Sequence, residues 1–268
     1  FVVGSLFGWK GEDGFRRFRT GYVEQGKGNG KTPLAAGLAL YGLIADGEAA
    51  SEVYSAATTR EQASILFKDA KNMIDASPDL KEVLKVDIAN VAHLESRSFF
   101  RPVSSEHRGL DGKRPHVVLI DELHEHPTDL VVNKMRAGTK GRRQALIFEI
   151  TNSGYDRSSV CWHHHEMSRK VLEARSSTDA GFNDSWFAYV CTLDSCDEHY
   201  REGKQQPVDG CEQCDDWRDE KTWVKANPNL GVSISRRYLA EQVEEAKGMP
   251  TKEGIVKRLN FCVWTEGV

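Results

Sequence analysis

The sequence lacks three features, and each absence excludes a class of protein. No hydrophobic run approaches the roughly 20 residues that a membrane-spanning helix requires. The N-terminal residues lack the basic, apolar and small-residue succession of a secretory signal peptide. There is also no excess of basic residues, because the net charge is −4 at pH 7. We therefore expect a soluble, cytoplasmic protein whose overall charge gives no indication of nucleic-acid binding.

The charge is unevenly distributed along the chain. Residues 194–220 contain ten Asp and Glu residues against three Lys and Arg residues. The rest of the chain is therefore slightly basic, and it contains two basic clusters, at 16–19 and at 134–143. Either cluster could contact a phosphate backbone without reading its sequence. A solvated basic surface is the commoner explanation for such clusters.

The six cysteines are not accompanied by a secretory signal, so thiols or a metal site are expected rather than disulfides. Four of them form two pairs, Cys191-x4-Cys196 and Cys211-x2-Cys214, with fourteen residues between the pairs. Two such pairs can supply four thiolates to one tetrahedral Zn²⁺ ion. His199 is a substitute ligand if Cys191 points into the core instead. Four reduced cysteines without a metal are the alternative.

Short apolar runs alternate with helical patterns, which predicts an α/β fold with a mainly parallel sheet and helices on both faces. One helix is predicted from about Gly30 to Ile44. Another is predicted from Thr59 to about Ile74, where apolar residues recur at i, i+3, i+4 and i+7. Residues 84–103 alternate loosely and indicate a β-rich excursion. The predicted strands lie at 22–23, 53–57, 117–120, 145–150 and 187–193.

A glycine-rich loop follows the first predicted strand. In such a loop, main-chain N–H groups and the positive end of a helix bind phosphate, the lysine reaches the β- and γ-phosphates, and a hydroxyl holds Mg²⁺. The hydroxyl here is that of Thr32. Gln25 departs from the usual pattern GxxxxGK[ST], since it stands where the first glycine is expected. A flexible turn is the alternative interpretation. The loop residues are Gly26, Lys27, Gly28, Asn29, Gly30, Lys31 and Thr32.

The second motif is an apolar strand that ends in Asp121 and Glu122. A buried strand places Asp121 beside the P-loop, where its carboxylate can order the Mg²⁺ shell, and Glu122 can orient or deprotonate the attacking water. A kinase does not need this second acid, so the pair favours hydrolysis of ATP. With strand 53–57 and its helix between the two motifs, the sequence indicates a RecA-like P-loop NTPase of the additional-strand, catalytic-glutamate class.

The character of the sequence changes after about residue 194. The acidic, cysteine-containing segment is followed by a turn-like Asn-Pro-Asn at 227–229 and by an amphipathic helix predicted from about Ser235 to Lys247. We therefore divide the chain into an ATPase core, residues 1–193, and a small lid or linker subdomain, residues 194–268. Because the sequence begins without an initiator methionine, we expect it to be a piece of a longer product.

Beyond these motifs, the chain resembles the large terminase subunit of tailed bacteriophages, particularly the group similar to phage HK97. Terminases commonly have a basic residue, any residue, Asn and then Gly-Lys-Ser/Thr, and residues 27–32 fit that form. Further segments carry the resemblance across nearly the whole chain. They are FGWKGEDGFRRFR before the loop, AATTREQA at 56–63, LDGKRPHVVLIDELHEHP at 110–127, ITNSG at 150–154 and WVKANPNLG at 223–231.

The resemblance implies an ATP-driven motor that uses Mg²⁺ and pushes double-stranded DNA into a procapsid. The partners that it implies are the portal protein, the small terminase subunit and further copies of the chain in a homo-oligomeric ring. The expected location is the host cytoplasm, with transient attachment at the portal vertex. The family also has a metal-dependent nuclease in its second half, and we expect that domain to be absent from this chain. The resemblance does not supply the zinc site.

The resemblance also assigns Thr151, Asn152 and Ser153 to the family's coupling motif. In that motif, short hydroxyl or amide side chains sense the γ-phosphate and relay its loss. A strand-terminating turn is the alternative, since Asn, Ser and Gly are turn formers.

We expect an arginine from a neighbouring subunit to reach the γ-phosphate. The P-loop and carboxylate motifs contain no arginine, whereas a guanidinium can contribute about 10³–10⁵ to the rate of phosphoryl transfer. Arg108 is the first candidate, because it precedes the carboxylate strand as a corresponding arginine does in the terminases that the chain resembles. Arg142 and Arg143 are the reserve candidates.

Two other functions compete with DNA packaging. A helicase-like or other DNA-dependent P-loop ATPase would share this core, but helicases usually carry two RecA-like domains and only one set of motifs is present here. A non-enzymatic interaction module could retain an inactive P-loop. The intact Lys31, Thr32, Asp121 and Glu122 argue against that second alternative.

Overall fold

The computed structural model describes residues 1–104, 110–179, 181–204 and 206–265. Eight strands occur in these residues, and together they form one sheet. The strands are β1 (Thr20–Glu24), β2 (Glu52–Ala57), β3 (Leu84–Val86), β4 (Val91–His93), β5 (Ser98–Ser104), β6 (Pro115–Asp121), β7 (Leu146–Thr151) and β8 (Trp186–Val190). Their order is β3-β4-β5-β2-β6-β7-β1-β8.

The six strands from β5 to β8 in this order are all parallel, which confirms the α/β prediction. β3 and β4 extend the sheet as antiparallel strands and correspond to the predicted β-rich excursion. The last predicted strand was too long, because β8 ends at Val190. The strand that separates β1 from β6 is β7, whereas β2 lies on the far side of β6. β2 lies between the P-loop and the carboxylate pair in the sequence, but β7 lies between them in the sheet.

Helices cover both faces of the sheet. Those in the described residues are α1 (Val2–Gly8), α2 (Lys31–Ile44), α3 (Arg60–Ala76), α4 (Pro78–Val83), α5 (Leu130–Gly138), α6 (Val160–Glu173), α7 (Asp197–Arg201), α8 (Trp223–Ala226), α9 (Arg236–Gly248) and α10 (Pro250–Phe261). Within the part of the chain that the structure describes, no helix has the length and apolar character needed to span a membrane.

The central strand β6 shows how the two faces are built. Val117 and Leu119 pack into the cluster that contains α2 and α3, whereas Val118 and Ile120 pack into the cluster that contains α5 and α6. Successive side chains of a strand point to opposite faces, so a strand covered on both sides is apolar throughout. Every residue of β6 is buried.

Local signals explain where two of the predicted helices, α3 and α9, begin. Thr59 caps α3. Its hydroxyl accepts a hydrogen bond from the main-chain amide of Gln62, and the Gln62 side chain accepts one from the main-chain amide of Thr59. One face of α3 is then buried against the sheet. Ser235 caps α9 through the amide of Tyr238, at 3.1 Å.

A third apolar cluster lies in the C-terminal part of the chain, apart from the two clusters on the sheet. It is formed mainly by α8, α9, α10 and the segment around Trp217. Trp217, Trp223 and Phe261 are its large buried aromatic residues. None of the described residues among 194–216 belongs to this cluster. Other contacts must therefore hold that acidic segment in place.

Candidate nucleotide-binding site

The glycine-rich loop joins the end of β1 to the start of α2. Gly30 is the N-cap residue of α2 and has a φ of 79°, a left-handed conformation that glycine adopts without steric cost. This conformation turns the chain into the helix, and Lys31 and half-buried Thr32 occupy the first turn. Unpaired N–H groups and the positive end of the helix therefore face the end of the sheet, as phosphate binding requires.

Lys31 is almost completely buried, and its ammonium group is held by three oxygen atoms. Nζ donates to the carbonyl oxygens of Gln25 and Gly26, at 2.7 and 3.2 Å, and to Oδ1 of Asn152 at 2.7 Å. Burial lowers the pKa of Lys31, while the nearby Glu122 and Asp121 carboxylates oppose that shift. Gln25, the departure from the usual pattern, is buried and donates to the carbonyl oxygen of Asn29 at 3.2 Å.

Gly26 is required by the close approach of the C-terminal part of the chain. A Cβ atom at this position would lie 2.5 Å from Oδ1 of Asn227 and 2.7 Å from the carbonyl oxygen of Asn260. The amide of Gly26 donates to the carbonyl oxygen of Ala226 at 3.0 Å, and that of Lys27 to Leu259 at 2.6 Å. The first glycine of the loop stands one position later than in the usual pattern. The tight contact explains why residue 26 is a glycine.

Asn29 connects the loop to the C-terminal part of the chain through its side chain. Its Nδ2 donates to Oδ1 of Asn227 at 2.8 Å, and its Oδ1 accepts from the amide of Asn229 at 3.0 Å. Ser233 donates to the carbonyl oxygen of Gly28 at 2.8 Å. The residues around 227–233 therefore contact the loop directly, which the sequence patterns did not reveal.

Asp121 ends β6, and its side chain is buried. Burial, together with the neighbouring Glu122 carboxylate, raises the pKa of Asp121 to about 7. Glu122 has a φ of 48°, and a non-glycine residue rarely adopts this left-handed conformation. Such strain is often kept where it aims a functional side chain.

His124 lies between Glu122 and Thr151, the first of the predicted coupling residues. Its Nδ1 lies 3.1 Å from Oγ1 of Thr151 and 3.3 Å from Oε2 of Glu122, and its amide donates to Oγ1 of Thr151 at 3.0 Å. The 3.3 Å contact lacks hydrogen-bond geometry, so buried Oε2 has no hydrogen-bond partner among the described residues. Burial lowers the pKa of His124. The sequence analysis missed His124, although a polar residue in the turn after two acids was the available signal.

The three predicted coupling residues contact three different parts of the molecule. Thr151 contacts His124, and Asn152 accepts the hydrogen bond from Lys31. The hydroxyl of Ser153 lies 3.2 and 3.1 Å from the carbonyl oxygens of Arg258 and Val263. Because β7 lies between β1 and β6, its end is next to both the P-loop and the carboxylate pair.

A buried carboxylate, Glu24, lies directly before the P-loop and was also missed from sequence. Its two oxygens accept hydrogen bonds from Tyr22 at 2.5 Å and Trp264 at 3.2 Å, and His165 Nδ1 lies at 2.8 Å. Burial by itself lowers the pKa of His165, but the Glu24 carboxylate outweighs it, so the net shift is upward. Glu24 thus ties the start of the loop to α6 and to the C-terminal segment.

The three arginines predicted to reach a γ-phosphate lie in two parts of the chain. Arg108 lies outside the described residues. Arg142 and Arg143 precede β7, at the edge of the sheet opposite the P-loop. Arg142 is bound to Glu48 at 2.9 Å and to the main-chain oxygens of Ala50 and neighbouring residues, which gives it a structural role.

Most side chains of the two basic clusters are also engaged within the fold. Arg16 is buried and pairs with Asp46 at 2.5 Å, and Arg19 donates to main-chain oxygens of residues 142, 143 and 145. Arg17 pairs with Asp184. These contacts favour a structural role over DNA binding for cluster 16–19.

The structure brings together three of the four cysteines that were predicted as metal ligands. Cys196, Cys211 and Cys214 lie together, but the fourth member of the group is His199 and not Cys191. Cys191 follows β8 directly, and its amide donates to the carbonyl oxygen of Glu24 at 2.8 Å. That hydrogen bond continues the pairing of β8 with β1 and keeps Cys191 at the edge of the sheet.

The residues of the loop and the carboxylate pair fit a magnesium nucleotide. A hydroxyl, Thr32, and a carboxylate, Asp121, are the hard oxygen ligands that Mg²⁺ prefers. The buried Oε2 of Glu122, which has no hydrogen-bond partner in the described residues, fits an acceptor for a proton from water. The same edge of the sheet carries Lys31 and the N-terminus of α2 for the phosphates.

Comparisons with known proteins identify the family of the chain. Residues 1–170 match the family model described as the terminase large subunit, ATPase domain. The chain is 32% identical over 174 residues to protein YmfN of Escherichia coli K12, which covers 65% of this chain and 33% of that protein. It is 25% identical over 237 residues to the large terminase subunit of Enterobacteria phage HK97, which covers 87% of this chain and 42% of that protein.

Solved structures share the fold. The crystal structure of the HK97 large terminase aligns with a TM-score of 0.79 at 20% identity, over 98% of this chain and 49% of that chain. A variant of the Thermus phage P74-26 large terminase ATPase domain aligns with a TM-score of 0.59 at 13% identity, over 98% of this chain and 97% of that chain. This chain spans between 33% and 42% of the length of the two curated relatives above. Because the family model covers more than half of the chain, the chain belongs to the family of terminase large subunit ATPase domains.

Proposed function

We propose that this chain hydrolyses ATP at the glycine-rich loop and that the hydrolysis moves double-stranded DNA into a procapsid. The observation that supports this proposal most strongly is the direct hydrogen bond between Lys31 of the loop and Asn152 of the coupling motif, at 2.7 Å. It joins the residue that meets the phosphates to a strand end that also contacts the C-terminal part of the chain. A protein that only binds nucleotide has no need of such a connection.

Each residue of the site has a proposed role in hydrolysis. When bound, Mg-ATP supplies the γ-phosphoryl group and a cation that neutralises developing charge. Thr32 and Asp121 hold the cation, and Lys31 orients the β- and γ-phosphates. Glu122 accepts a proton from the attacking water. His124 positions Glu122, because it lies against that carboxylate and against Thr151.

Residues 151–153 are proposed to relay the loss of the γ-phosphate. Lys31 donates to Asn152, so phosphate oxygens and Asn152 would compete for the same ammonium group. Ser153, one residue later, donates to main-chain oxygens of the C-terminal segment. A movement of Asn152 would therefore be passed through Ser153 to residues 258–263, which Ser153 contacts directly. In this proposal residues 1–193 form the ATPase core and residues 194–268 act as a lid that responds to the nucleotide.

The partners follow from the family. We propose a ring of subunits at the portal vertex, with contacts to the portal protein and the small terminase subunit. In this ring, Arg108 of one subunit reaches the γ-phosphate held by the next. Nuclease activity would belong to the longer parent protein.

ATPase assays with and without linear double-stranded DNA, on this chain and on the longer parent, test the proposal. We expect turnover that DNA stimulates, and loss of nucleotide binding in Lys31→Ala but not in Lys85→Ala, which changes an exposed lysine. An absence of hydrolysis in both proteins would overturn the proposal. Separation of DNA strands without packaging would favour the helicase-like alternative.

Mixing experiments test the shared site. Arg108→Ala subunits have an intact loop, and Lys31→Ala subunits keep Arg108, so a mixture should recover part of the hydrolysis that each lacks alone. Full DNA-stimulated turnover by Arg108→Ala alone would remove Arg108 from the mechanism. A monomer as active as the assembled motor would remove the ring requirement.

A further inference from the structure

Four potential metal ligands of the acidic segment lie close to one another. The ligand atoms of Cys196, His199, Cys211 and Cys214 are all within 4.8 Å of one another. Nδ1 of His199 lies 3.4 Å from the sulfur atoms of both Cys196 and Cys214. The sulfur atoms of Cys196 and Cys211 are 3.9 Å apart. The four ligand atoms thus form a compact cluster.

The three distances given above match a tetrahedral zinc site, and the other pairs of ligand atoms lie within 4.8 Å. With Zn–S of about 2.3 Å and Zn–N of about 2.05 Å, a regular tetrahedron has S···S edges of about 3.8 Å and N···S edges of about 3.6 Å. The observed 3.9 and 3.4 Å agree with these values to about 0.2 Å. A disulfide requires sulfur atoms about 2.05 Å apart, so Cys196 and Cys211 are placed for a shared ion and not for a covalent bond.

We infer that Cys196, His199, Cys211 and Cys214 bind one Zn²⁺ ion. Three thiolates and one imidazole are ligands that select zinc over Mg²⁺ or Ca²⁺, which prefer oxygen. Both pairs then have two residues between their ligands, Cys196-x2-His199 and Cys211-x2-Cys214, whereas the pair with Cys191 has four. Binding displaces the thiol protons to solvent, and neutral His199 binds through Nδ1.

The ion would hold together a segment that lacks an apolar core of its own. The ligands come from two stretches, 196–199 and 211–214, and α7, which carries His199, has only five residues. Around them, the amide of Cys196 donates to the Cys214 sulfur at 3.3 Å. Lys225 joins the two stretches through Asp194 and Asp215, at 2.9 and 2.7 Å. An exposed ion pair of this kind contributes little stability, so the ion is the principal crosslink.

The site lies in the same part of the chain that contacts the P-loop. Cys214 is three residues from Trp217, which packs with Trp223 in the C-terminal apolar cluster. The helix that begins at Trp223 leads to Asn227, which bonds to Asn29 of the loop. Zinc would therefore stabilise the acidic segment beside a surface that supports the nucleotide site.

Metal analysis of the reduced chain, purified without chelator, tests the inference. We expect about one equivalent of zinc per chain in the parent protein and in two controls, Cys191→Ala and His163→Ala. In Cys211→Ser the zinc content should fall below about a tenth of an equivalent. His199→Ala should lose zinc to a competing chelator at least about tenfold more readily, since one of four ligands is missing.

A spectroscopic measurement on the unchanged chain covers the case in which Cys211→Ser does not fold. Cobalt(II) substituted into the parent protein should give the visible bands of a tetrahedral ion with thiolate ligands, and added zinc should remove them. Less than a tenth of an equivalent of zinc with all thiols free, or a mass lower by two hydrogen atoms from a disulfide, would overturn the inference. Loss of zinc from Cys191→Ala but not from His199→Ala would overturn the assignment of His199.

Discussion

The edge of the sheet and the acidic segment 194–220 both bring polar side chains close together, but they do so by different means. At the sheet edge, Lys31, Asp121 and Asn152 come from the ends of parallel strands or from the adjoining helix, and all three are buried. In the acidic segment, Cys196 immediately precedes a five-residue helix and Cys211 lies outside the helices and strands, among mostly exposed carboxylates. The apolar sheet positions the first group, whereas the second group would be held together by the zinc ion inferred above.

The largest effect is expected at the sheet edge, from Glu122→Gln. The amide keeps the shape of the side chain but cannot accept a proton, so hydrolysis should fall by at least about 10²-fold. Binding of Mg-ATP should be retained, since Thr32 and Asp121 are unchanged. Turnover and nucleotide affinity of this variant would be compared with those of Glu95→Gln, which changes an exposed carboxylate. Turnover at the parent rate would show that another residue activates the water.

The next effect is expected where the two regions meet, from Asn227→Ala. Asn227 is fully buried, and its side chain bonds to Asn29, to the carbonyl oxygen of Trp223 and to that of Asn260. Removing it leaves buried polar groups without partners, which should cost about 1–3 kcal/mol of unfolding free energy.

Urea unfolding measures this cost, with Asn133→Ala as the control because Asn133 is exposed. If Asn227→Ala were no less stable than the control, the contact between the loop and the C-terminal part would not contribute to folding. A loss of stability with unchanged nucleotide affinity would separate the structural role of this contact from the proposed role in signalling.

The smallest effect is a pH dependence from Asp121. Its folded-state pKa of about 7 lies above the ordinary value of 3.8, so the folded protein binds this proton more tightly than the unfolded chain. The contribution to stability is therefore present below about pH 4 and is lost as the pH rises through about 7. The neutral Asp121→Asn should gain stability relative to the parent by on the order of 1 kcal/mol between pH 6 and pH 8.

Urea unfolding of the protein without nucleotide or Mg²⁺, at several pH values, checks this expectation. Asp87→Asn is the matched control, since Asp87 is exposed. A difference between Asp121→Asn and the parent that did not change with pH would mean that Asp121 is ionised throughout this range, and the burial argument for it would then fail.

Sequence alone predicted the elements whose signals are local. The apolar run that became β6 and the capped helices α2, α3 and α9 were placed within a few residues, because strand burial and helix capping depend on neighbours in the chain. The two motifs also indicated the nucleotide site, since a strand end and a helix start carry their side chains to one edge of the sheet. The overlong prediction at β8 arose because Leu193 continues the apolar pattern beyond Cys191, whose amide makes the last hydrogen bond to β1.

The contacts that sequence could not reveal join residues far apart in the chain. Gly26 is needed because Asn227 and Asn260 approach it, Glu24 is buried with His165 and Trp264, and no local pattern records such an approach. The same holds for the fourth ligand of the proposed zinc site. The sequence determined the sheet, its helices and the two motifs, because these follow from periodicity and spacing. The tertiary structure alone decided that His199 joins the three cysteines while Cys191 stays at the sheet edge, because that choice depends on where β8 stops pairing with β1.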